Sequence, residues 1–310
     1  MFTFKVENSH VVPHGLSLEG VTYDERTDSL YYIDIPNGTV FTILESSMLS
    51  NTDKPLPIPQ TYVVDKSIGV IGLTSDVNKL ICGIERGISV LDLNSGSITS
   101  IAKYPNDNIV NGSQLRSNDG SIAPDGSYWI GTMDYEETGK FGSMWKLTNK
   151  DSNSLIELWN DCGIPNGINW DIKRGLMYWT DSTDNTIYRY KYNVETNEVD
   201  INSKEPWFVN NGTPDGSCID ADGNLYVCLW GSNKVVRFTP DGKIDMEWIF
   251  PSKNVTCCIF GGKDFNTLYV TTASLTPDDE PNDDDLGAAL YKIDVSGLNI
   301  KGVPKYKFQL

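Results

Sequence analysis

The feature that most constrains the fold of this chain is a repeat of strand-forming segments with a period of about fifty residues. Six segments each read as strand, polar turn, strand, loop and strand. They begin at Leu18, Ile68, Asn118, Pro165, Pro214 and Val255. "SLYYIDI" and "GLMYWTD" alternate β-branched and aromatic residues at strand spacing, and no long window carries a helical apolar stripe. This repeated pattern of strands and turns predicts an all-β chain without helices of ordinary length.

A fourth, less regular strand is predicted between the repeats. The segments concerned are "QTYVVD" at 60, "SITSIAKY" at 97, "SLIELWN" at 154, "EPWFVN" at 205 and "KIDMEWIF" at 243. Four strands in about fifty residues is the period of a propeller blade, and two β-sandwiches would not explain six copies of one pattern. We therefore predict a six-bladed β-propeller with four-stranded antiparallel blades around a central channel, formed as a single domain by residues 1–310.

Short polar motifs stand just before the first strand of four repeats. They place Glu19, Asn118, Asn166 and Asp215 at the same repeat position, with a glycine close behind each. Because the first strand of a blade lines the channel, these side chains should converge at one mouth. Carboxylate and amide oxygens suit a hard divalent cation, which would also relieve the repulsion between the carboxylates. Asn-Gly and Asp-Gly also form ordinary turns, but four at equivalent positions favour a ligand ring.

Two other acidic motifs are interpreted as structural. Asp222-Gly223 separates two strand-forming runs and predicts a hairpin turn. "TPDDEPNDDDLG" at 276 lacks the spacing of a calcium-binding loop and predicts a solvated loop in the last blade. The two histidines, His10 and His14, precede the first repeat, which disfavours a Ser-His-Asp triad.

Charge and composition exclude several partners. The formal net charge of -17 disfavours nucleic acid, and no uninterrupted apolar segment approaches the length of a membrane span. Six sparse cysteines without Cys-x-x-Cys spacing are interpreted as buried reduced thiols. The N-terminal residues lack the pattern of a signal peptide. We expect a cytoplasmic protein, with the nucleus as the alternative location, that contacts neither membrane nor nucleic acid and exists as a monomer or weak homodimer.

The same motifs resemble the regucalcin / gluconolactonase family, also called the senescence-marker-protein family, from "LEG" at 18 to "LYVTTA" at 268. The resemblance implies a six-bladed propeller with one divalent metal in its channel, held by Glu19, Asn166 and Asp215. It also implies sugar contacts from the residues around "NDG" and after "GTM", namely Arg116, Asn118, Asp119 and Glu136. Val21 departs from the common "LEGP" motif of the family.

The resemblance implies a metal-dependent lactonase acting on a sugar (aldono-)lactone such as gluconolactone, with Asp215 as general base. A bound Ca²⁺, Zn²⁺, Mn²⁺, Mg²⁺ or Fe²⁺ would act as Lewis acid. The alternative is a non-catalytic calcium-binding propeller of the regucalcin type, and a third is a related hydrolase of organophosphates or bulkier lactones. Arg116 favours the enzyme, because a guanidinium near the metal adds only repulsion to a pure cation site.

Overall fold

The structure is a computed structural model that describes residues 1–7, 15–48, 58–148, 155–209 and 212–310, together with the backbone of 9–11. Across these ranges the regular structure consists of β-strands and short 3₁₀ turns, with no α-helix. The 3₁₀ turns are Glu45–Met48, Pro105–Asn108, Ser182–Asp184 and Ser296–Leu298. The prediction of an all-β chain is confirmed.

The strands follow the repeats along the chain. Two short strands come first, β1 (Phe2–Lys5) and β2 (Ser9–Val11). Blade 1 contains β3 (Leu18–Asp24), β4 (Ser29–Asp34), β5 (Thr39–Leu44) and β6 (Gln60–Val63). Blade 2 contains β7 (Ile68–Leu73), β8 (Lys79–Ile84), β9 (Gly87–Asp92) and β10 (Ile98–Lys103). Blade 3 contains β11 (Ile109–Val110), β12 (Ser113–Ile122), β13 (Tyr128–Asp134), β14 (Gly142–Leu147) and β15 (Leu155–Cys162).

The second half of the chain repeats this arrangement. Blade 4 contains β16 (Pro165–Asp171), β17 (Leu176–Asp181), β18 (Thr186–Asn193) and β19 (Glu198–Val209). Blade 5 contains β20 (Thr213–Ile219), β21 (Leu225–Trp230), β22 (Lys234–Phe238) and β23 (Ile244–Ile249). Blade 6 contains β24 (Asn254–Gly261), β25 (Thr267–Ala273) and β26 (Leu290–Asp294). All five predicted fourth strands are present.

The six blades close into a ring. Each blade's innermost strand contacts the innermost strands of both neighbours, and β24 of blade 6 contacts β3 of blade 1. The fourth strand of blade 6 is β2, which pairs antiparallel with β26, while β1 adds a parallel fifth strand to β23 of blade 5. The six-bladed β-propeller predicted from the repeat is confirmed, and the N-terminal strands close it.

The hydrophobic core lies between the blades. Each pair of adjacent blades shares a cluster of buried apolar side chains, because each blade presents its two faces to its neighbours. Trp129, Trp170 and Trp179 belong to the cluster between blades 3 and 4, and Trp145 to the cluster between blades 2 and 3. These tryptophans therefore pack blades together.

Both acidic motifs interpreted as structural behave as predicted. Asp222-Gly223 lies in the turn between β20 and β21, where Gly223 has a φ of +85° that suits glycine. The loop 274–289 joins β25 to β26 and is largely exposed. Asp279 within it pairs with Lys253 at 2.6 Å. Within the described ranges, no helix has the length and apolar character needed to cross a membrane.

Candidate functional site at one mouth of the channel

A β-bulge interrupts every innermost strand. The pairing register shifts between Glu19 and Thr22, and an equivalent shift occurs near the start of the innermost strand in blades 2, 4, 5 and 6. In blade 3 the shift lies between Ser117 and Gly120, past the middle of β12. A bulge twists the strand locally and re-aims its side chains. The repeat position identified in the sequence therefore coincides with a break in the ladder, where residues such as Asn166 and Asp215 turn towards the channel axis.

Two glycines show why the bulges need small residues. Gly20 has a φ of +57°, a conformation that L side chains rarely adopt. A Cβ on Gly216 would lie 2.8 Å from the Thr256 carbonyl oxygen and from the Cys257 Cα of the next blade. Gly20, which follows Glu19, thus allows a left-handed backbone conformation in blade 1. Gly216, which follows Asp215, allows β20 to approach the backbone of blade 6 closely.

A chain of hydrogen bonds runs from blade 3 to blade 5 across this mouth. Arg116 Nη1 donates to Asn118 Oδ1 at 2.7 Å, and Asn118 Nδ2 donates to Asn166 Oδ1 at 3.2 Å. Asn166 Nδ2 donates to Ser182 Oγ at 2.7 Å, and Ser182 Oγ donates to the Pro214 carbonyl at 2.6 Å. Because a guanidinium can only donate, it orients both amides in turn.

The carboxylates at this mouth are buried without a cation partner. Glu19 is 8% exposed and Asp215 is 8% exposed. Glu19 accepts the backbone N–H of Gly20 at 2.8 Å, and no ion pair to either carboxylate is present in the described ranges. Burial and then the charge of Asp119 raise the pKa of Glu19 to about 8. Burial and the charges of Glu19 and Asp119 raise the pKa of Asp215 well above its ordinary value.

Asp119 and Arg116 flank this pair. Burial raises the pKa of Asp119 to about 6, although its side chain accepts the Gly120 N–H at 2.7 Å. Burial lowers the pKa of Arg116, while the charges of Glu19 and Asp215 act against the loss of its proton. The structure therefore brings Arg116, Asn118 and Asp119 to the mouth that also holds Glu19, Asn166 and Asp215.

Glu136 lies differently from its predicted neighbours. Its side chain is exposed, and its backbone N–H bonds Asp134 Oδ1. The adjacent Glu137 exerts the largest electrostatic effect on Arg116 among the charged groups. The ring of Tyr135 also lies beside Arg116, at 5.9 Å from its Cζ atom. The role of Glu136 stays a prediction, and Glu137 and Tyr135 are further residues at the mouth that the motif did not identify.

The donor set fits a hard divalent cation. Glu19 and Asp215 provide carboxylate oxygens that repel one another in a buried site, and Asn166 provides an amide oxygen oriented by Ser182. No cluster of three His, Cys, Asp or Glu side chains suited to a metal occurs in the described ranges. The predicted set contains only two residues of those types, because its third member is Asn166. The assignment of the three ligands stays a prediction.

Supporting residues were missing from the sequence analysis. Ser182 lies in the 3₁₀ turn that follows β17, and its hydroxyl accepts a hydrogen bond from Asn166, sixteen residues earlier in the chain. No sequence motif links the two residues. Asp34 and Asp181 each end the second strand of a blade and accept two backbone N–H groups from the segment that enters the innermost strand. The sequence signal for these contacts is the Asp that ends the strand motifs "YYID" and "YWTD". Of the two histidines, the His10 side chain and the whole of His14 lie outside the described residues.

Comparison with known proteins places this arrangement in a family. Residues 18–274 match the family described as the SMP-30/Gluconolactonase/LRE-like region. The chain belongs to this family. The matched range begins with the strand that carries Glu19 and ends just beyond β25, so it includes every predicted site residue.

Relatives in this family come from bacteria, fungi and animals. YvrE of Bacillus subtilis, named as an inferred sugar lactone lactonase, is 33% identical over 260 residues and 83% of each chain. The cell growth-regulated gene 1 protein of Candida albicans is 33% identical over 91% of each chain. Regucalcin of Oryctolagus cuniculus is 29% identical over 94% of each chain.

Solved structures share the fold. The calcium-binding protein regucalcin from Agrobacterium tumefaciens superposes with a TM-score of 0.85 over the whole of both chains, at 23% identity. A luciferin-regenerating enzyme superposes with a TM-score of 0.83 at 26% identity, over 96% of this chain and 97% of that enzyme.

Proposed function

We propose that this chain is a divalent-metal-dependent lactonase that hydrolyses a sugar (aldono-)lactone such as gluconolactone. The observation that carries the proposal is the hydrogen-bonded Arg116–Asn118 pair at the same mouth as the buried carboxylates Glu19 and Asp215. A polyhydroxylated substrate needs such donors beside the cation, whereas a site for a cation alone is weakened by a guanidinium. Membership of a family with relatives named as lactonases supports the same reading.

Glu19, Asn166 and Asp215 would hold the metal. The ion, when bound, would supply Lewis-acid polarisation of the lactone carbonyl and activation of water. Ca²⁺, Zn²⁺, Mn²⁺, Mg²⁺ and Fe²⁺ all accept this oxygen-rich donor set. The amide of Asn166 would present its oxygen because Ser182 accepts from its nitrogen.

The remaining groups would bind substrate and move the proton. Asp215 would accept a proton from the attacking water and return it to the ring oxygen that leaves. Arg116 would hold hydroxyls or the developing negative charge, and Asn118 and Asp119 would bond ring hydroxyls. The exposed Glu136 would bind outer hydroxyls, while Glu137 would keep Arg116 charged through its proximity.

Chelator-stripped protein tests this proposal, with proton release measured from D-glucono-1,5-lactone and D-xylono-1,4-lactone. Each of the five cations is restored singly, and spontaneous hydrolysis is subtracted. We expect one or more cations to restore turnover and Asp215→Ala to abolish it. Asp222→Ala is the matched control, because Asp222 belongs to the other Asp-Gly pair of the same blade and lies exposed in a turn.

Three outcomes would separate the alternatives. Substantial turnover by Asp215→Ala would contradict both roles assigned to this residue. Metal binding without hydrolysis would favour the non-catalytic calcium-binding propeller. Hydrolysis of organophosphates or bulkier lactones in place of sugar lactones would favour the third reading. We further propose that the chain acts in the cytoplasm as a monomer or weak homodimer, without membrane or nucleic-acid partners.

A further inference from the structure

Four of the six cysteines lie in blades 5 and 6 beside the channel. They are Cys218, Cys228, Cys257 and Cys258. Cys218 lies on β20 and Cys258 on β24, which are neighbouring innermost strands. Their sulfur atoms are 3.6 Å apart, so the two thiols are in contact across a blade boundary.

The other two cysteines have different surroundings. Cys82 lies in blade 2 and Cys162 in blade 3, and their thiols hydrogen-bond backbone carbonyls of their own strands, at 4.0 and 3.9 Å. Cys258 contacts the Tyr226 carbonyl at 3.5 Å as well as the Cys218 thiol. All six cysteines are free and buried, as the sequence analysis expected. The contact between Cys218 and Cys258 nevertheless gives this pair a chemistry that an isolated buried thiol lacks.

A small cavity inside the channel reaches the cluster. Its volume is about 30 Å³, and its lining includes Gly20 and Asp119 from the blades, Cys257 and Cys258 of β24, and Lys305 of the C-terminal segment. A volume of about 10–15 Å³ is enough for one water molecule. The cavity is therefore large enough to hold a molecule the size of hydrogen peroxide beside Cys258, which lines it.

The C-terminal segment brings a positive charge to this cavity. The Ala221 N–H donates to the Lys301 carbonyl, and the Phe308 N–H donates to the Leu73 carbonyl, so the segment crosses from blade 5 to blade 2. These contacts lie at the end of the channel opposite Glu19, because they follow the far ends of the innermost strands. Lys305 lies between them and acts electrostatically on Cys218 and Cys258.

The surroundings of Cys258 favour the reactive form of its thiol. Burial raises the pKa of Cys258, but the neighbouring thiols of Cys218 and Cys228 and the charge of Lys305 outweigh burial and bring the pKa to about 5. Burial alone raises the pKa of Cys82 to about 12. Thiolates beside a cation are the sulfur groups that react with peroxides.

We propose that Cys258 and Cys218 form a reversible disulfide between blades 5 and 6 when a peroxide enters the channel. The Cys258 sulfur attacks one peroxide oxygen, the O–O bond breaks, and the leaving hydroxide takes up a proton as water. The Cys218 sulfur then attacks the resulting sulfenic acid, the S–O bond breaks, and a second water leaves. Two thiols are oxidised, and one hydrogen peroxide is reduced to two waters.

The link would alter the neighbouring mouth. An S–S bond is about 2.05 Å long, so the two sulfur atoms must approach by about 1.5 Å. Cys218 lies three residues after Asp215, and Cys257 lies close enough to Glu19 to lower the pKa of that carboxyl. Closing the bond would therefore displace strands that carry or contact both carboxylates. This consequence for metal affinity rests on the proposed function, whereas formation of the disulfide does not.

The test treats the native full-length protein with hydrogen peroxide, quenches the reaction, and counts free thiols after unfolding. We expect the count to fall from six to four, the mass to fall by two hydrogen atoms, and a reductant to reverse both changes. Digestion without reduction should yield one linked pair of peptides, containing Cys218 and Cys258. These measurements use the wild-type protein and so do not depend on whether a variant folds.

Variants then examine each contribution. Cys258→Ser and Cys218→Ser should each abolish the link, whereas Cys82→Ser should retain it. Lys305→Ala should slow formation on the order of tenfold, and Lys305→Arg should keep the rate within about twofold, because it preserves the charge. Retention of all six thiols, a link between Cys218 and Cys228, or equally rapid loss of Cys82 and Cys162 would each overturn the proposal.

Discussion

At the scale of single residues, the candidate site depends on which way two amide side chains point. Arg116 can only donate, so it determines the orientation of Asn118, and Asn118 in turn faces the oxygen of Asn166. Ser182 completes the chain by accepting from Asn166 and donating to the Pro214 carbonyl. The amide oxygen of Asn166, the proposed metal ligand, is thus oriented by a hydroxyl that would not itself bind the ion.

Replacement of Ser182 by Ala should weaken binding of the divalent cation by about tenfold or more, because a group that hydrogen-bonds a metal ligand holds that ligand in its binding orientation. Calorimetric titration of chelator-stripped protein measures this affinity. Ser89→Ala is the matched control, since the buried Ser89 hydroxyl has no hydrogen-bond partner in the described part of the chain. Equal affinities of the two variants would show that Ser182 does not orient Asn166.

The metal-free protein should lose stability as the pH rises through about 8. Glu19 ionises near pH 4.5 when unfolded, but burial and Asp119 raise its pKa in the folded protein to about 8. Between these values the folded state binds more protons, so its stability falls with rising pH. Melting temperatures from pH 5 to 8.5 should show this slope. Glu19→Gln should reduce this slope without removing it, because the raised pKa values of Asp215 and Asp119 act in the same direction, and a saturating divalent cation should flatten it. An unchanged slope in Glu19→Gln would contradict the assignment.

At the scale of elements, two features place the side chains at the mouth. Each innermost strand contains a bulge. In blades 1 and 4, an Asp at the end of the second strand also binds the backbone of the segment that leads into the innermost strand. Asp181 accepts the backbone N–H groups of Gly163, Ile164 and Thr183 at 3.0, 3.1 and 3.2 Å. This carboxylate fixes the entry to β16, the strand that carries Asn166.

Asp181→Ala should lower the free energy of unfolding by about 2–3 kcal/mol, because it leaves buried backbone N–H groups unpaired. Asp92→Ala is the matched control. Asp92 accepts the N–H groups of Asn94 and Ser95 in an exposed turn, where water can replace it, so its loss should cost less than about 1 kcal/mol. Urea unfolding of both variants measures the difference. Equal losses in the free energy of unfolding would show that Asp181 does not hold the segment that leads into β16.

At the scale of the whole molecule, the ring closes through both chain termini. The N-terminal β2 completes blade 6, and β1 adds to blade 5, where Phe4 stacks on Trp248 at 5.4 Å between ring centroids. The C-terminal segment crosses the far end of the channel and buries Phe308 against blades 2 and 3. Stability of the propeller therefore depends on residues outside the six repeats.

Deletion of residues 1–11 should lower the melting temperature at least about twice as much as deletion of residues 1–5. The shorter deletion removes only β1, whereas the longer one also removes β2 and leaves the edge of β26 unpaired. Thermal unfolding of both truncated proteins at one concentration measures the effect. The same melting temperature for both would show that β2 contributes little to closing the ring.

The sequence by itself determined the six blades and the repeat position of the candidate ligands, because strand alternation, turn residues and period are local properties of the chain. The repeat position singled out Glu19, Asn118, Asn166 and Asp215, and the resemblance to the family gave Glu19, Asn166 and Asp215 as the predicted metal ligands. Only the tertiary structure showed that β2 completes blade 6 and that Ser182 hydrogen-bonds Asn166. It also showed that Glu137 has the largest electrostatic effect on Arg116, and that Lys305 lines the same cavity as Cys257 and Cys258. These contacts join residues that are far apart in the sequence, in different blades or at opposite ends of the chain. A local sequence pattern cannot predict them, because they form only when the ring of blades closes.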